Sequence, residues 1–338
     1  MDIPLSVLDR SLVRAGQDPG RALRDTVRFA QQVEELGFHR FWVSEHHGVP
    51  GVAGSAPTVL AAAVASATSR IRVGTGGVML PNHRPLVVAE QFGVLASLFP
   101  GRIDMGLGRS VGFTDGIRRA LGVGKDGAEG FAAGVRELLG WFDGGQPDYP
   151  GVHAIPAEGL DVPAFVLAVD GGADIAASLG LPLVIGAGRV RAKTLEAVGR
   201  YRAAFRPSDR APLPYVVIAV NAAVAGTAEA AARLQLPEAW ATVVSRTRGV
   251  FPPLSPPAEV AALRLTERES GYLAEARASQ LHGTAEQMAA ALRTLAAETG
   301  ADELLLTLNT HDPADRLDSY RQLAAAMSST APDAVTAG

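Results

Sequence analysis

Residues 71–109 read IRVGTGGVMLPNHRPLVVAEQFGVLASLFPGRIDMGLGR and contain one complete strand–helix–strand unit. Two short runs, Ile71–Met79 and Ile103–Leu107, have the length and the apolar character of buried strands. The longer segment between them, Pro85–Phe99, has helical length. Parallel strands need a crossover connection of this kind, so the stretch predicts an α/β fold with a parallel sheet.

The same alternation of short and long apolar segments continues along the rest of the chain. The predicted strands are Ile3–Leu8, Phe41–Glu45, Ile71–Met79, Ile103–Leu107, Ala164–Val169, Leu183–Ile185, Tyr215–Ala223 and Leu304–Leu308. The predicted helices are Arg21–Leu36, Ala56–Thr68, Pro85–Phe99, Ala128–Phe142, Asp174–Leu179, Val190–Phe205, Thr284–Glu298 and Ala314–Ala326. Eight strand–helix units favour a TIM (β/α)8 barrel over an open doubly wound sheet. No linker divides the chain, so residues 1–338 are predicted to form a single domain.

Two connections are too long for simple loops between a strand and the next helix. One covers residues 109–128 and is extended by residues 143–163, and the other covers residues 225–283. In a barrel, such insertions lie over the carboxyl-end face, where active sites are built. The second insertion contains FPPLSPP at residues 251–257, which cannot be regular helix or central strand. We therefore predict a lid over residues 237–283 that lacks a continuous backbone hydrogen-bond ladder and is mobile without ligand.

The composition excludes several classes of function. The 31 Lys and Arg residues against 35 Asp and Glu residues give a net charge of −4, and no basic cluster could follow a phosphate backbone, so no nucleic-acid partner is expected. The chain has no Cys, which removes disulfides, thiolate nucleophiles and cysteine-ligated metal centres. There is neither a signal-peptide-like stretch nor an apolar run of membrane-spanning length, so we expect a cytoplasmic protein without a membrane partner.

Two glycine-containing motifs suggest other enzyme classes. Residues 122–127 (GVGKDG) fit the letters of a dinucleotide fingerprint but follow no buried strand, so no NAD site is predicted. Residues 108–112 (GRSVG) match the nucleophile elbow of an α/β-hydrolase, with Asp302 and His311 later in the chain. However, the residues after Ser110 are a poor start for the required helix, and no oxyanion segment precedes it. A hydrolase is therefore disfavoured.

Histidines near the ends of two predicted strands suggest a metal site. Glu45, His46 and His47 end the second strand, and His83 follows the third. Successive strand residues point to opposite faces, so His46 and His47 cannot both bind one ion unless the strand has broken. No second carboxylate–histidine pair accompanies them, and we predict no metal.

Glycines interrupt two predicted neighbouring strands. Residues 73–78 contain three glycines, and residues 105–109 contain two before ending in Arg109. Glycine in a strand interior marks a bulge, a close backbone approach or a ligand lying on the backbone. The pattern fits a slot for a planar ring whose anionic tail meets Arg109, and it fits close packing of the barrel equally well.

Three segments together carry a resemblance to a known family. They are Phe41–His47 (FWVSEHH), Arg72–His83 (RVGTGGVMLPNH) and Gly101–Arg109 (GRIDMGLGR). With them the chain resembles the bacterial luciferase-like flavin monooxygenases, especially the actinobacterial members associated with polyketide-type natural products. The resemblance runs from Leu5 to about Gly112 and resumes at Gly283–Gln287 and Glu303–Tyr320.

The resemblance implies a barrel that binds reduced FMN at the carboxyl ends of its strands. Oxygen would form a flavin C4a-peroxide there and oxygenate an organic substrate, for example an aromatic polyketide. By the same resemblance His46 is the catalytic residue, Gly76 and Gly77 form a non-proline cis peptide beneath the flavin, and Arg109 lies near the FMN phosphate. The residues expected to bind the cofactor are Glu45, Gly76, Gly77, Arg109, Ser110, Gly171 and Gly172.

The sequence departs from the family in the loop after the fifth strand. This loop reads AVDGG at residues 168–172, where luciferases hold phosphate with hydroxyl groups, and its Asp170 fits a protein that takes reduced flavin transiently. Because no dinucleotide site is predicted, a separate flavin reductase is expected to supply the reduced FMN. Two alternatives stay open: an F420-dependent oxidoreductase of the same fold, and a flavin-binding protein without catalysis.

Two predicted helices are apolar nearly all round. Their apolar stretches are Ala56–Ala65 and Pro85–Phe99. A helix on the outside of a barrel normally has one polar face, so both helices need a second partner. We predict a homodimer packed through them, the arrangement that luciferases also use.

Overall fold

The computed structural model describes residues 3–168, 171–187 and 191–328. Within these ranges the strands are β1 Leu5–Asp9, β2 Arg40–Val43, β3 Arg72–Thr75, β4 Val78–Met79, β5 Ile103–Gly108, β6 Ala164–Ala168, β7 Leu183–Gly186, β8 Val216–Val224, β9 Leu281–Gly283 and β10 Glu303–Thr307. The helices are α1 Pro19–Glu35, α2 Pro57–Ala67, α3 Pro85–Leu98, α4 Asp115–Leu121, α5 Phe131–Phe142, α6 Gly172–Leu179, α7 Arg191–Ala204, α8 Ala228–Arg248, α9 Pro257–Ala261, α10 Glu267–Arg277, α11 Ala285–Thr299 and α12 Pro313–Ser328.

Eight of the described strands close a parallel barrel. Their order is β1, β2, β3, β5, β6, β7, β8 and β10, and β10 pairs with both β8 and β1. The short strand β4 pairs with β5, and β9 pairs with the end of β8. The helices that connect the strands surround this barrel, so the predicted TIM (β/α)8 fold is confirmed.

Several predicted boundaries differ from the observed ones. The predicted strand Ile71–Met79 is two strands, because the chain leaves the ladder at Gly76 and Gly77. The long connection after β5 contains the unpredicted helix α4, whose first turn is capped by the Thr114 side chain. Three predicted positions lie outside the described ranges: the last residue of the predicted strand Ala164–Val169, the loop residue Asp170, and the first residue of the predicted helix Val190–Phe205.

Side chains that point into the barrel form two layers. In the layer at the amino end, the guanidinium of Arg40 lies 2.8 Å from Asp104 and 3.0 Å from Glu303, and all three residues are buried. The next layer is apolar and consists of Trp42, Phe165, Val184, Val217 and Leu305. Because these layers fill the lower part of the barrel, the space for a ligand lies at its carboxyl-end mouth.

The predicted lid is more regular than expected. Helix α8 continues through Pro237, and α10 packs against it. Buried Trp240 and Val243 of α8 pack with Val260, and this apolar contact stabilises the helices despite the proline. The expectation that residues 237–283 lack continuous backbone hydrogen bonds is therefore wrong for α8 and α10. The predicted start of the lid at residue 237 falls inside α8.

The proline-rich segment between α8 and α9 forms neither helix nor strand, as its sequence predicts. Leu254 exchanges backbone hydrogen bonds of 2.8 Å with Val13 and Ala15. The carbonyl of Phe251 accepts a hydrogen bond of 3.0 Å from the N–H of Gly51. These contacts tie the segment to the loops after β1 and β2.

Helices α2 and α3 leave large apolar side chains on the surface. The exposed fractions are 70% for Val59, 46% for Val87, 47% for Val94 and 64% for Leu98. The two helices adjoin, since the Thr58 hydroxyl of α2 donates a hydrogen bond to α3. Across the described ranges, no helix combines the length and the apolar character that crossing a membrane requires.

Candidate functional site

The mouth of the barrel collects the predicted site residues. Parallel strands end at the same face of a barrel. His46 follows β2, Gly76 and Gly77 follow β3, Arg109 follows β5, and Gly171 comes after β6. These four strands are consecutive neighbours in the sheet, so the residues lie along one side of the mouth.

His46 has a largely buried ring that meets the mouth. Its Nδ1 lies 3.1 Å from the Oγ of Ser44, and its ring stacks on Phe113 with the centroids 6.1 Å apart. Its Nε2 has no hydrogen-bond partner among the residues that the structure describes. Burial, reinforced by the positive charge of Arg10, lowers the pKa of His46 to about 4. The imidazole is therefore neutral near pH 7 and can exchange a proton with a bound molecule.

Glu45 is buried between the other two histidines of this region. Its Oε1 accepts hydrogen bonds from Nε2 of His47 (2.7 Å) and Nε2 of His83 (2.9 Å), and its Oε2 accepts one from the N–H of Met79 (2.9 Å). Burial alone would raise the pKa of Glu45, but these hydrogen bonds, led by that of His83, hold it below its ordinary value. Both carboxylate oxygens are engaged, so Glu45 fixes the segment after β4. Its direct contact with a cofactor stays a prediction.

The same residues are the ones to consider for a metal. The ligand atoms of Glu45, His47 and His83 all lie within 4.8 Å of one another. Because β2 ends at Val43, strand alternation no longer governs the two adjacent histidines, and His47 turns toward Glu45 while His46 does not. The Glu45–imidazole distances are those of hydrogen bonds, which account for the cluster without an ion. The absence of a metal also stays a prediction.

The glycines at the mouth are needed for two different reasons. A Cβ on Gly106 would lie 1.9 Å from the carbonyl oxygen of Thr75, so the two strands approach too closely for any side chain. At Gly76 the nearest atoms would instead be side-chain atoms, first Cδ1 of Leu8 at 2.5 Å. The peptide between Gly76 and Gly77 is cis, as the resemblance implies. Close packing thus explains Gly106, whereas Gly76 borders the interior of the mouth.

Arg109 and the start of α6 form a site suited to an anion. Arg109 and Ser110 are exposed, and Arg109 has no ion-pair partner within the described part of the chain. Helix α6 begins at Gly172 behind Gly171, and no side chain of the described residues caps its first N–H groups. A guanidinium and free helix N–H groups are suited to binding phosphate. The described residues therefore fit the phosphate of FMN, while Asp170 lies outside the described ranges.

The structure separates the residues of the alternative hydrolase site. Ser110 follows β5 at the mouth, whereas Asp302 precedes β10 at the opposite end of the barrel and accepts a hydrogen bond of 2.8 Å from the N–H of Val216. These two residues cannot belong to one catalytic triad. Residues 122–127 follow helix α4 rather than a strand, so they are not a dinucleotide fingerprint either.

A set of residues that we call the polar wall was not predicted: Arg10, Asn221 and Glu238. Arg10, directly after β1, donates a hydrogen bond to Glu238 of α8. The Nδ2 of Asn221 in β8 donates to the other oxygen of Glu238 over 2.6 Å. Together with Leu8 and Thr307, the polar wall lines a cavity of about 420 Å³. The available sequence signal was the position of Arg10 at the carboxyl end of a predicted strand.

Comparisons with known proteins agree with this geometry. The profile of the luciferase-like monooxygenase family matches residues 3–327. The uncharacterized protein YvbT of Bacillus subtilis (strain 168) is 38% identical over 324 residues, which cover 96% of each chain. A luciferase-like monooxygenase of Escherichia coli (strain K12) is 33% identical over 320 residues, which cover 94% of this chain and 95% of that protein.

Solved structures share the fold. Apo-MsnO8 superposes with a TM-score of 0.86 at 32% identity and covers 97% of this chain and 98% of its own. The oxygenating constituent of 3,6-diketocamphane monooxygenase from Pseudomonas putida, in complex with FMN, has a TM-score of 0.71 at 17% identity over 96% of this chain and 97% of its own. An F420-dependent secondary alcohol dehydrogenase with an F420-acetone adduct has a TM-score of 0.72 at 16% identity over 97% of this chain and all of its own. The last two likenesses concern the fold alone, which accommodates either FMN or F420.

Proposed function

The chain belongs to the luciferase-like monooxygenase family, and on that premise we propose that it is the oxygenating component of a two-component flavin monooxygenase. It takes reduced FMN from a separate flavin reductase and uses it with O2 to oxygenate a small organic substrate. A separate reductase is proposed because the glycine motif of residues 122–127 lacks the strand–turn–helix setting that a dinucleotide site requires.

Groups at the mouth hold the cofactor in this proposal. Arg109, Ser110 and the N–H groups at the start of α6, from Gly171 and Gly172 onward, bind the phosphate, and the flavin ring lies over Gly76 and Gly77. When bound, reduced FMN supplies the electrons that activate O2. The chain contributes binding, orientation and proton handling. Helix α8 and the proline-rich segment behind it limit the access of water to the mouth.

The observation that carries the proposal is the largely buried imidazole of His46 at this mouth, whose Nε2 has no hydrogen-bond partner among the described residues. In the tautomer whose Nδ1–H donates to the hydroxyl of Ser44, the unpartnered Nε2 carries a lone pair. That lone pair can accept a proton or a hydrogen bond from the bound substrate. Since burial lowers the pKa of His46 to about 4, the base form is present throughout the neutral range. Glu45 is a positioning residue that orders His83 and Met79 beside it.

An anaerobic titration tests the proposal. The protein is titrated with reduced FMN and, separately, with reduced F420, and oxygen is then admitted with a panel of organic substrates. We expect reduced FMN to bind and an oxygenated product to appear after oxygen is admitted. Substrate conversion with F420 in the absence of oxygen would show the F420-dependent oxidoreductase instead. Binding of either cofactor without conversion of any substrate would show a flavin-binding protein without catalysis.

The proposal includes a homodimer packed through α2 and α3. Val59, Val87, Val94 and Leu98 are the exposed apolar side chains of these helices, and burying them against a second copy would remove them from water. The adjacency of α2 and α3 makes their exposed side chains one surface rather than two.

A further inference from the structure

We infer that the polar wall of Arg10, Asn221 and Glu238 selects a neutral substrate by a hydrogen-bond acceptor oxygen, such as the carbonyl oxygen of a ketone, an amide or a quinone. The inference rests on the proposed function, because the wall lines the same mouth as His46. It adds the chemical class of the substrate and a residue that recognises it.

Arg10 has one buried donor left for a ligand. Its guanidinium is held by the hydrogen bond to Glu238 and lies over the ring of Phe251, with 5.8 Å from Cζ to the ring centroid. Its Nε is buried and has no hydrogen-bond partner among the described residues. A buried unpaired N–H is destabilising, so an acceptor atom supplied by a ligand in the cavity would satisfy it.

The acceptors of the polar wall are already occupied. One carboxylate oxygen of Glu238 accepts from Arg10, and the other accepts from Asn221 over 2.6 Å. The Oδ1 of Asn221 accepts a hydrogen bond of 2.8 Å from Gln235. The wall therefore offers a ligand a donor and no free carboxylate or amide oxygen, and a ligand that brings an acceptor fits it best.

The charges of the cavity favour a neutral ligand over an anion. Arg10 is paired with Glu238, and Arg246, at the other side of the cavity, lies 2.8 Å from Glu275. A ligand carboxylate would add an uncompensated negative charge beside a partly buried carboxylate. A neutral carbonyl oxygen can accept from Arg10 without that cost. The cavity volume of about 420 Å³ suits a small organic molecule.

The position of Arg10 connects this recognition to the proposed reaction. Leu8, two residues earlier on β1, lines the same cavity and is the nearest side chain above Gly76. Arg10 is also close enough to His46 for its charge to affect that imidazole. Arg10 follows β1, and β1 is the neighbour of β2, after which His46 lies. An oxygen atom held by Arg10 is thus placed on the β1 side of His46.

Benzamide and benzoate are matched probes for this inference, because they have the same ring and differ in charge. Their dissociation constants are measured by ligand-observed NMR titration with the apoprotein, and again with reduced FMN under anaerobic conditions. We expect benzamide to bind the wild-type protein at least about 10-fold more tightly than benzoate. Arg10→Met keeps much of the side-chain length but removes the donors, and it should weaken benzamide binding about 10-fold. Glu238→Gln removes the negative charge and should shift the preference toward benzoate by about 10-fold.

Arg246→Met is the control, because it removes the other cation of the cavity and should leave benzamide binding within about 2-fold of wild type. Circular dichroism shows whether each variant is folded. If Arg10→Met is not folded, Arg10→Lys replaces it, because lysine keeps the positive charge but has no Nε–H donor. Equal binding of the two probes to the wild-type protein, no detectable binding of either, or unchanged benzamide binding in a folded Arg10 variant would overturn the inference. Failure of reduced FMN to bind would count against the proposed function alone, because the titrations of the apoprotein still decide the role of the wall.

Discussion

The hydroxyl of Ser44 lies 3.1 Å from Nδ1 of His46, the residue two positions further along the chain. Ser44 is buried, so this contact holds one edge of the imidazole against the end of the barrel while the opposite edge has no partner among the described residues. A ring held in this way presents one nitrogen to the mouth, which is the arrangement that a proton-transferring histidine needs.

The protonation of His46 should be displaced strongly toward acid. In an NMR titration of the imidazole C–H signals, His46 should show no transition between about pH 5.5 and 8, because burial lowers its pKa to about 4 from an ordinary value of 6.5. Between these two values the unfolded chain binds a proton that the folded chain does not, so the free energy of unfolding should decrease as the pH falls from 6.5 toward 4. Urea unfolding at pH 7 and pH 5 should show a smaller decrease for His46→Asn. An equal decrease in both proteins would contradict the low pKa.

Replacing His46 should impair oxygenation much more than it impairs folding or flavin binding. His46→Ala removes a proton carrier and one hydrogen bond but little core volume. Product formation should fall about 100-fold or more, the range expected when general acid–base help is lost. The affinity for reduced FMN should change modestly. His282→Ala is the control, since His282 is exposed and lies outside the proposed site. Oxygenation by His46→Ala at the wild-type rate would show that the role proposed for His46 is wrong. Loss of an esterase activity in Ser110→Ala would show that the proposed oxygenation reaction is wrong.

The barrel could be predicted because each of its strands leaves a local record in the sequence. A buried parallel strand must be apolar over several residues and must be followed by a helix, and this pattern survives small errors at its ends. Local rules failed where a contact from elsewhere in the chain decides the structure. Pro237 looked like the start of an irregular lid, but the apolar contacts of Trp240 and Val243 keep the helix intact.

The site could be predicted only in part for the same reason. His46 and Arg109 directly follow strand-like runs, so their place at the mouth followed from the fold. The pairing of Arg10 with Glu238 joins residues 228 positions apart, and no periodicity records such a pair. The link between Glu45 and His83 also depends on how the segment after β4 returns to β2. The two adjacent histidines diverge as predicted, but β2 ends at Val43 rather than at the predicted Glu45, so strand alternation does not explain why His47 meets Glu45.

Glu45 should contribute to stability through its three hydrogen bonds. Glu45→Gln keeps the size of the side chain but removes its charge. The new amide NH2 group would also lie opposite an N–H donor, so one of the present hydrogen bonds could not form. The free energy of unfolding should fall by about 2 kcal/mol at pH 7, as for a lost charge-assisted hydrogen bond. Because the pKa of Glu45 is lowered from an ordinary value of 4.5, its contribution is present above that value and is lost as the pH falls further. Urea unfolding should therefore show the two proteins becoming more alike in strong acid.

The matched control for this comparison is Glu35→Gln, an exposed glutamate on α1, which should change the free energy of unfolding by less than about 0.5 kcal/mol. A similar loss in both variants would indicate that the hydrogen bonds of Glu45 add no special stability.

Adding charge to the apolar surface of α2 and α3 should separate the proposed dimer. Val59→Glu and Leu98→Glu each place a carboxylate where a second copy would bury an apolar side chain, a costly change for an interface. Light scattering at micromolar concentration should show dimers for the wild-type protein and monomers for the double variant. Leu213→Glu is the control, because Leu213 is 74% exposed before β8 and away from α2 and α3. A wild-type monomer would reject the dimer.

Arg109 should distinguish FMN from riboflavin, which has the same ring system and no phosphate. The wild-type protein should bind reduced FMN more tightly than reduced riboflavin, because the phosphate meets the guanidinium and the N–H groups at the start of α6. Arg109→Ala should weaken the binding of reduced FMN by about 10- to 100-fold, the range for a hydrogen bond to a charged group, and should leave riboflavin binding nearly unchanged. Arg119→Ala, on the neighbouring exposed face of α4, is the control and should affect neither ligand. Anaerobic fluorescence titrations measure all six affinities. If Arg109→Ala weakened the binding of FMN and of riboflavin equally, Arg109 would lie beside the flavin ring and not at the phosphate.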